Sequence, residues 1–221
     1  MATTVTLLRA AEASANGSLT VEDAKRTRSF LKLAFSGRHF GHAFFGTLCC
    51  AVCTAAMCLE YSRSHVHKRD RFPQRWFQIN MEGDYGHWWL RYRQWFEKHS
   101  DLSPKHVRQD FRRLAVIRRF ESQTGSEILL AEVARLLGCF KQMMVRVAGH
   151  GESDPEVLVV GQSPWIEILV KAVTGMDIEP LDELGAITMS KARVRWELVS
   201  RSRAQWSRVG PGRRASNCVV T

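Results

Sequence analysis

Residues 40–59, FGHAFFGTLCCAVCTAAMCL, run for 20 positions without Asp, Glu, Lys or Arg. As a helix rising about 1.5 Å per residue, the stretch spans roughly 30 Å, the thickness of a bilayer's hydrocarbon core. Lys25, Arg26, Arg28, Lys32 and Arg38 precede it, and Arg63, Lys68, Arg69, Arg71 and Arg75 follow. Basic side chains therefore stand where lipid headgroups would be. Ala43, Thr47, Ala51 and Ala55 recur every fourth position and form a helix-packing face of small side chains, which lets a neighbouring helix approach closely. The competing reading is a buried helix of a soluble protein. A surface helix shows a polar face, and these residues have none, so the sequence reads as one transmembrane helix.

His42 lies two or three residues from the charged edge, which suits an imidazole in the headgroup zone better than a haem ligand or proton relay. Four of the six cysteines, Cys49, Cys50, Cys53 and Cys58, fall inside the run. Cys50 and Cys53 form a CxxC, but no second pair or histidine stands at metal-site spacing, so they read as small packing residues. Cys139 and Cys218 are isolated, and there is no disulfide framework.

Working outward, residues 1–39 form an N-terminal arm. Its start, MATTVTLLRAAEASANG, is rich in Ala, Ser and Thr, with Arg9 and a single acid, Glu12, as in mitochondrial import segments. Thr20 before Glu22 and Asp23 is a helix start. Residues 60–100 are basic and aromatic. Trp88, Trp89, Tyr92, Trp95 and Phe96 recur at three to four residues, with Arg91 and Arg93 among them and Arg75 and Trp76 upstream. Aromatic rings with a polar handle beside basic groups predict a membrane-interface helix. Stacking on single-stranded RNA and ordinary core packing are the alternatives.

Residues 101–208 read as a helical extramembrane domain. Ser103-Pro104 starts a helix with Val107, Phe111, Leu114 and Ile117 on one face. A turn at Gln123–Ser126 leads to a second helix over about 127–148, with Leu129, Val133, Leu136, Phe140, Met143 and Val147 as its stripe. Together they predict an antiparallel helical hairpin. Residues 156–160 read as a short strand or extended segment. Trp165–Thr174 reads as a helix stopped by Gly175, Met189–Arg208 as a last helix, and 209–221 as a tail. The fold class expected is mainly α.

The chain has 221 residues, 45% of them apolar and 24% charged, with a formal net charge of +10. That composition is globular, and the surplus points to an acidic partner: RNA, anionic lipid or acidic neighbouring subunits. The charge is uneven. An acidic block over 123–189 sits between basic ones.

No glycine loop for phosphate, GxGxxG or HExxH occurs, and Gly161-Gln162-Ser163-Pro164-Trp165 lacks the second glycine of a nucleophile elbow. The sequence therefore assigns no catalytic, cofactor or metal residue, and the protein reads as a non-enzyme without a cofactor.

This layout resembles supernumerary subunits of mitochondrial energy-transducing complexes. The resemblance implies a single-pass inner-membrane location and a structural or assembly role, with the ATP synthase slightly favoured over the respiratory chain. It also implies other subunits and the bilayer, with cardiolipin a candidate lipid, as partners. The alternative is a soluble basic RNA-binding protein such as a mitochondrial ribosomal protein, whose binding would weaken steeply with salt.

Overall fold

The computed structural model describes residues 3–11, 19–61, 75–81, 87–99, 114–151, 154–192 and 195–202; of residues 59, 87–90, 192 and 202 it describes the backbone alone. Strand β1 (Thr4–Arg9) lies beside β4 (Glu156–Gly161), parallel and in register from Thr4↔Glu156 to Arg9↔Gly161. Both strands are covered on both faces, which is why Val157–Val160 is apolar without alternation. The sheet runs β3-β2-β4-β1-β5-β6, with β2 (His42–Phe45) and β3 (Trp76–Gln78) parallel to β4. On the other side, β5 (Ala186–Ala192) is antiparallel to β1, and β6 (Arg195–Ser202) is antiparallel to β5.

Helices cover both faces. Helices α1 (Val21–Phe35) and α2 (Cys49–Tyr61) pack on Leu8, Ala43, Phe45, Leu158 and Val160. Helices α3 (His87–His99), α4 (Leu114–Thr124), α5 (Ile128–Ala148) and α6 (Trp165–Thr174) pack on the side of Val5, Leu7, Val157 and Val159. Local signals set their ends. The Thr20 hydroxyl accepts from the Asp23 N–H at 3.1 Å and caps α1. Gly175, at φ 77°, ends α6 in the left-handed conformation that glycine adopts most readily. In α5 the stripe Leu136, Phe140, Met143 and Val147 is buried, with Leu129 and Val133 packed partly against it.

The 20-residue apolar run is not one helix. It divides into β2, a turn at residues 46–48, and α2. Its lack of a polar face has another cause: β2 is an interior strand with both faces buried, and α2 turns Ala51, Ala55 and Cys58 into the core. Ala43 sits on the strand, Thr47 is exposed in the turn, and Ala51 and Ala55 lie on α2, so the four small residues do not share one helical face. Among the described residues no helix is long and apolar enough to cross a membrane. The transmembrane helix is thus corrected, together with the single-pass inner-membrane location that rested on it and the mainly-α class. The chain is an α/β fold.

Two further expectations change. Over its described residues, up to Ser202, the final helix expected at Met189–Arg208 is replaced by strands β5 and β6: along β6, half-buried Trp196, Leu198 and Ser200 alternate with exposed Arg195, Glu197 and Val199. The interfacial helix is α3, a helix of the folded domain. It buries Tyr92 and Phe96, while Trp95 packs edge-on against Phe120 at 5.4 Å. Arg91 and Arg93 are exposed, and Arg93 pairs with Glu97 at 2.9 Å on the same helix. Arg75 leads into β3, where Trp76 is buried. The side chains of Trp88 and Trp89, the helix start at Ser103-Pro104 and the tail lie outside the described residues.

Candidate functional site

In an open α/β sheet, ligands bind outside the carboxyl ends of the parallel strands, where neighbouring strands send their connections to opposite faces. Here that point lies between β1 and β4. The chain leaving β1 goes to α1 on one face, and the chain leaving β4 goes to α6 on the other. The described residues at this edge are Arg9 at the end of β1 with Ala10 and Ala11 after it, residues 46–48 between β2 and α2 with Cys49 and Cys50 opening α2, and Gln162 and Ser163 after β4.

Hydrogen bonds hold these segments together. The Ala10 N–H donates to the Gly161 carbonyl at 2.7 Å, and the Gly46 N–H to the Val160 carbonyl at 2.9 Å. The Ala11 N–H donates to Thr54 Oγ1 at 3.1 Å, tying the exit of β1 to α2. Gln162 Nε2 donates to Cys50 Sγ at 2.9 Å and reaches the Ala11 carbonyl at 3.5 Å.

Beneath this edge is a buried polar network. Arg9 is 3% exposed, and its guanidinium donates to the Leu181 carbonyl at 2.5 Å. Glu167 is fully buried on the first turn of α6, where its Oε1 accepts from the Ser163 hydroxyl at 2.6 Å and from the Leu181 N–H at 2.8 Å. Arg9 and Glu167 thus grip opposite sides of the Leu181 backbone. Arg9 also fixes the rim, since its own N–H donates to the Gly185 carbonyl at 2.9 Å. That rim is a tight turn. Buried Leu184 has φ 59°, a costly conformation for a bulky side chain, and a Cβ on Gly185 would stand 2.9 Å from the Asp182 carbonyl oxygen. On the β3 side, Arg135 of α5 donates to the carbonyls of Asn80 at 2.9 Å and Met81 at 2.5 Å, and Met81 lies against Gly161.

The N-termini of α2 and α6 lie at this edge, each carrying the positive end of a helix dipole, and the Arg9 guanidinium and the Glu167 carboxyl are buried beneath it. Among the described residues, the polar groups at this edge include the Cys50 thiol, the Gln162 amide and the Ser163 hydroxyl, with the Thr54 hydroxyl buried behind Ala11. None of the described residues at the carboxyl ends of these strands is a histidine. His42 starts β2 at the opposite, amino end of the sheet, with its ring centroid 4.7 Å from that of His150. Burial first, then the charges of His150 and Arg75, lower its pKa to about 4. Among the described residues, no group of three or more His, Cys, Asp and Glu side chains is placed to hold a metal ion.

Of the residues at this edge, sequence named Thr47 only as a helix-packing residue, and it set aside Cys50 as a packing thiol and Ser163 as an incomplete nucleophile elbow. The available signal was the order strand, Gly161, helix start at Ser163-Pro164, which is a strand–turn–helix connection. Its meaning depended on β1 lying parallel beside β4, more than 140 positions away in sequence.

No family model matches the sequence, and no curated protein matches it. Solved structures do match. Phosphoglycerate mutase from Bacillus anthracis str. Sterne superposes with a TM-score of 0.62 at 15% identity, over 90% of this chain and 92% of that one. A putative alpha-ribazole-5'-P phosphatase from Escherichia coli str. K-12 substr. MG1655 gives 0.55 at 16% identity, over 89% and 95%. Phosphoserine phosphatase from Entamoeba histolytica, in complex with 3-phosphoglyceric acid, gives 0.50 at 16% identity, over 92% and 98%. The fold is shared with phosphatases and a mutase, which corrects the reading as a non-catalytic subunit of the ATP synthase or respiratory chain. The chain has the histidine phosphatase fold.

Proposed function

We propose that this protein handles phosphate monoesters, which it holds in the crevice between the carboxyl ends of β1 and β4. One observation carries the reading: the buried Arg9 guanidinium and the N-termini of α2 and α6 converge on this edge, in a fold shared with phosphatases and a phosphomutase. A dianionic phosphate suits the helix N-termini, and the half-buried Gln162 amide supplies a neutral hydrogen-bonding partner beside them. Cys50 and Ser163 are among the described side chains there with nucleophilic atoms, and the Ser163 hydroxyl donates a hydrogen bond to Glu167.

Calorimetric titration with 3-phosphoglycerate and phosphoserine tests the reading, with phosphate release followed in the same samples. Saturable binding is expected. Gln162→Glu keeps the side-chain size but adds a negative charge at the crevice, and should weaken binding at least tenfold. Absence of binding by any phosphomonoester, or equal binding by the variant, overturns the proposal.

A further inference from the structure

The thiols at the start of α2 are of two kinds. Cys50 is buried and turned towards Gln162. Cys49 is exposed as the first residue of α2, and its Sγ lies 3.9 Å from the Sγ of half-buried Cys53, one helical turn on. Side chains four apart share a helix face, with Cβ atoms about 5–6 Å apart. A disulfide needs Cβ atoms about 3.5–4.5 Å apart, so this pair does not close one within the helix. It can hold an atom between its sulfurs. Two bonds of about 2.3 Å, the length of a zinc–thiolate bond, span up to about 4.6 Å, and the observed sulfur separation falls inside that reach.

We propose that Cys49 and Cys53 bind one Cu(I) ion between their sulfurs. The ligand count selects the ion. Structural zinc takes four ligands, and among the described residues no group of three or more His, Cys, Asp and Glu side chains is placed to hold a metal. Cu(I) is soft, favours thiolate sulfur, and is satisfied by two such ligands. Burial, and after it the hydrogen bond with Cys49, hold Cys53 as a thiol in the free protein. The incoming copper displaces that proton and the Cys49 proton, forming two copper–sulfur bonds as two S–H bonds break. Copper enters and stays as Cu(I), so no electron is transferred and no oxidant is needed. One Cu(I) with two thiolates carries a net negative charge, which the positive end of the α2 dipole stabilises at the first turn of the helix. Cys50 stands outside the site, since its sulfur accepts from the Gln162 amide. None of this depends on a phosphate ligand in the crevice.

The test is an anaerobic competition for Cu(I) between the reduced full chain and bicinchoninate, a chelator whose colour reports the copper it holds. The chain should withhold one equivalent of Cu(I) and gain the ultraviolet absorbance of a copper–thiolate bond. Alkylation followed by fragment mapping by mass spectrometry should then find Cys49 and Cys53 protected by copper and exposed again when excess chelator removes it. Cys49→Ser and Cys53→Ser should each weaken retention at least tenfold. Cys49→Ser carries the decision, because the exposed side chain can be replaced without disturbing the core. Copper left entirely with the chelator, or retention undiminished in Cys49→Ser, overturns the proposal. Copper protection of Cys139 or Cys218 in place of Cys49 and Cys53 overturns it as well.

Discussion

The side-chain amide of Gln162 donates to the sulfur of Cys50 across 2.9 Å, joining the end of β4 to the first turn of α2. The same nitrogen reaches the Ala11 carbonyl at 3.5 Å, so one amide ties together three chain segments that are remote in sequence. Gln162→Ala removes both contacts. A loss of about 0.5–1.5 kcal/mol is expected, as for a partly buried hydrogen bond. The midpoint of urea unfolding measures it, and an unchanged midpoint would show that the amide does not fasten the crevice.

Glu167 is the more demanding position. Its Oε1 accepts from both Ser163 and the Leu181 N–H with no solvent to replace it. Glu167→Ala leaves two buried donors unsatisfied, each costing about 1–3 kcal/mol, and should destabilise the fold strongly. Glu167→Gln keeps an acceptor oxygen and should cost clearly less. Equal losses in the two variants, measured by denaturant unfolding, would count against the network.

His42 makes stability depend on pH. Its folded-state pKa of about 4 lies below the ordinary 6.5, so the unfolded chain takes up the proton more readily. The contribution is full above about pH 6.5 and is lost as pH falls towards 4, at a slope of about 1.4 kcal/mol per pH unit. Burial is the main cause, and the charges of His150 and Arg75 add to it. His42→Leu should flatten the slope of unfolding free energy between these pH values, and a slope unchanged by the substitution would contradict the assignment.

Ala51 and Ala55 are fully buried where α2 crosses the sheet. Leucine at either position should overpack that layer and cost about 1–3 kcal/mol in the isolated protein. Thermal unfolding of Ala51→Leu checks this. An unperturbed melting temperature would mean that this face of α2 does not pack on the sheet.

The parts of this fold legible in sequence are those whose signal is local. Trp165–Thr174 is marked by Ser163-Pro164 at its start and Gly175 at its end, and the α5 stripe repeats at helical spacing through Leu136, Phe140, Met143 and Val147. Residues 40–59 misled because a continuous apolar run fits a buried strand followed by a helix as well as it fits one long helix. Gly46 and Thr47 mark the break. The four-residue recurrence of small side chains across it is coincidental, as Ala43 is in β2 and Ala51 in α2. The arm at residues 1–39 hid a central strand: TVTLLR is short, and its partners, β4 and β5, come more than 140 positions later. The crevice was illegible for the same reason, since Arg9, Cys50 and Gln162 share no local motif and meet only through parallel pairing.

The most direct measurement is a crystal structure of the protein soaked in tungstate, a heavy phosphate mimic whose position anomalous scattering reveals. Tungstate at the carboxyl ends of β1 and β4, within hydrogen-bonding reach of the Gln162 amide and beside Arg9, is the predicted result. An empty crevice at saturating tungstate, or an oxyanion held only elsewhere on the surface, would contradict the assignment of this edge as a phosphate site.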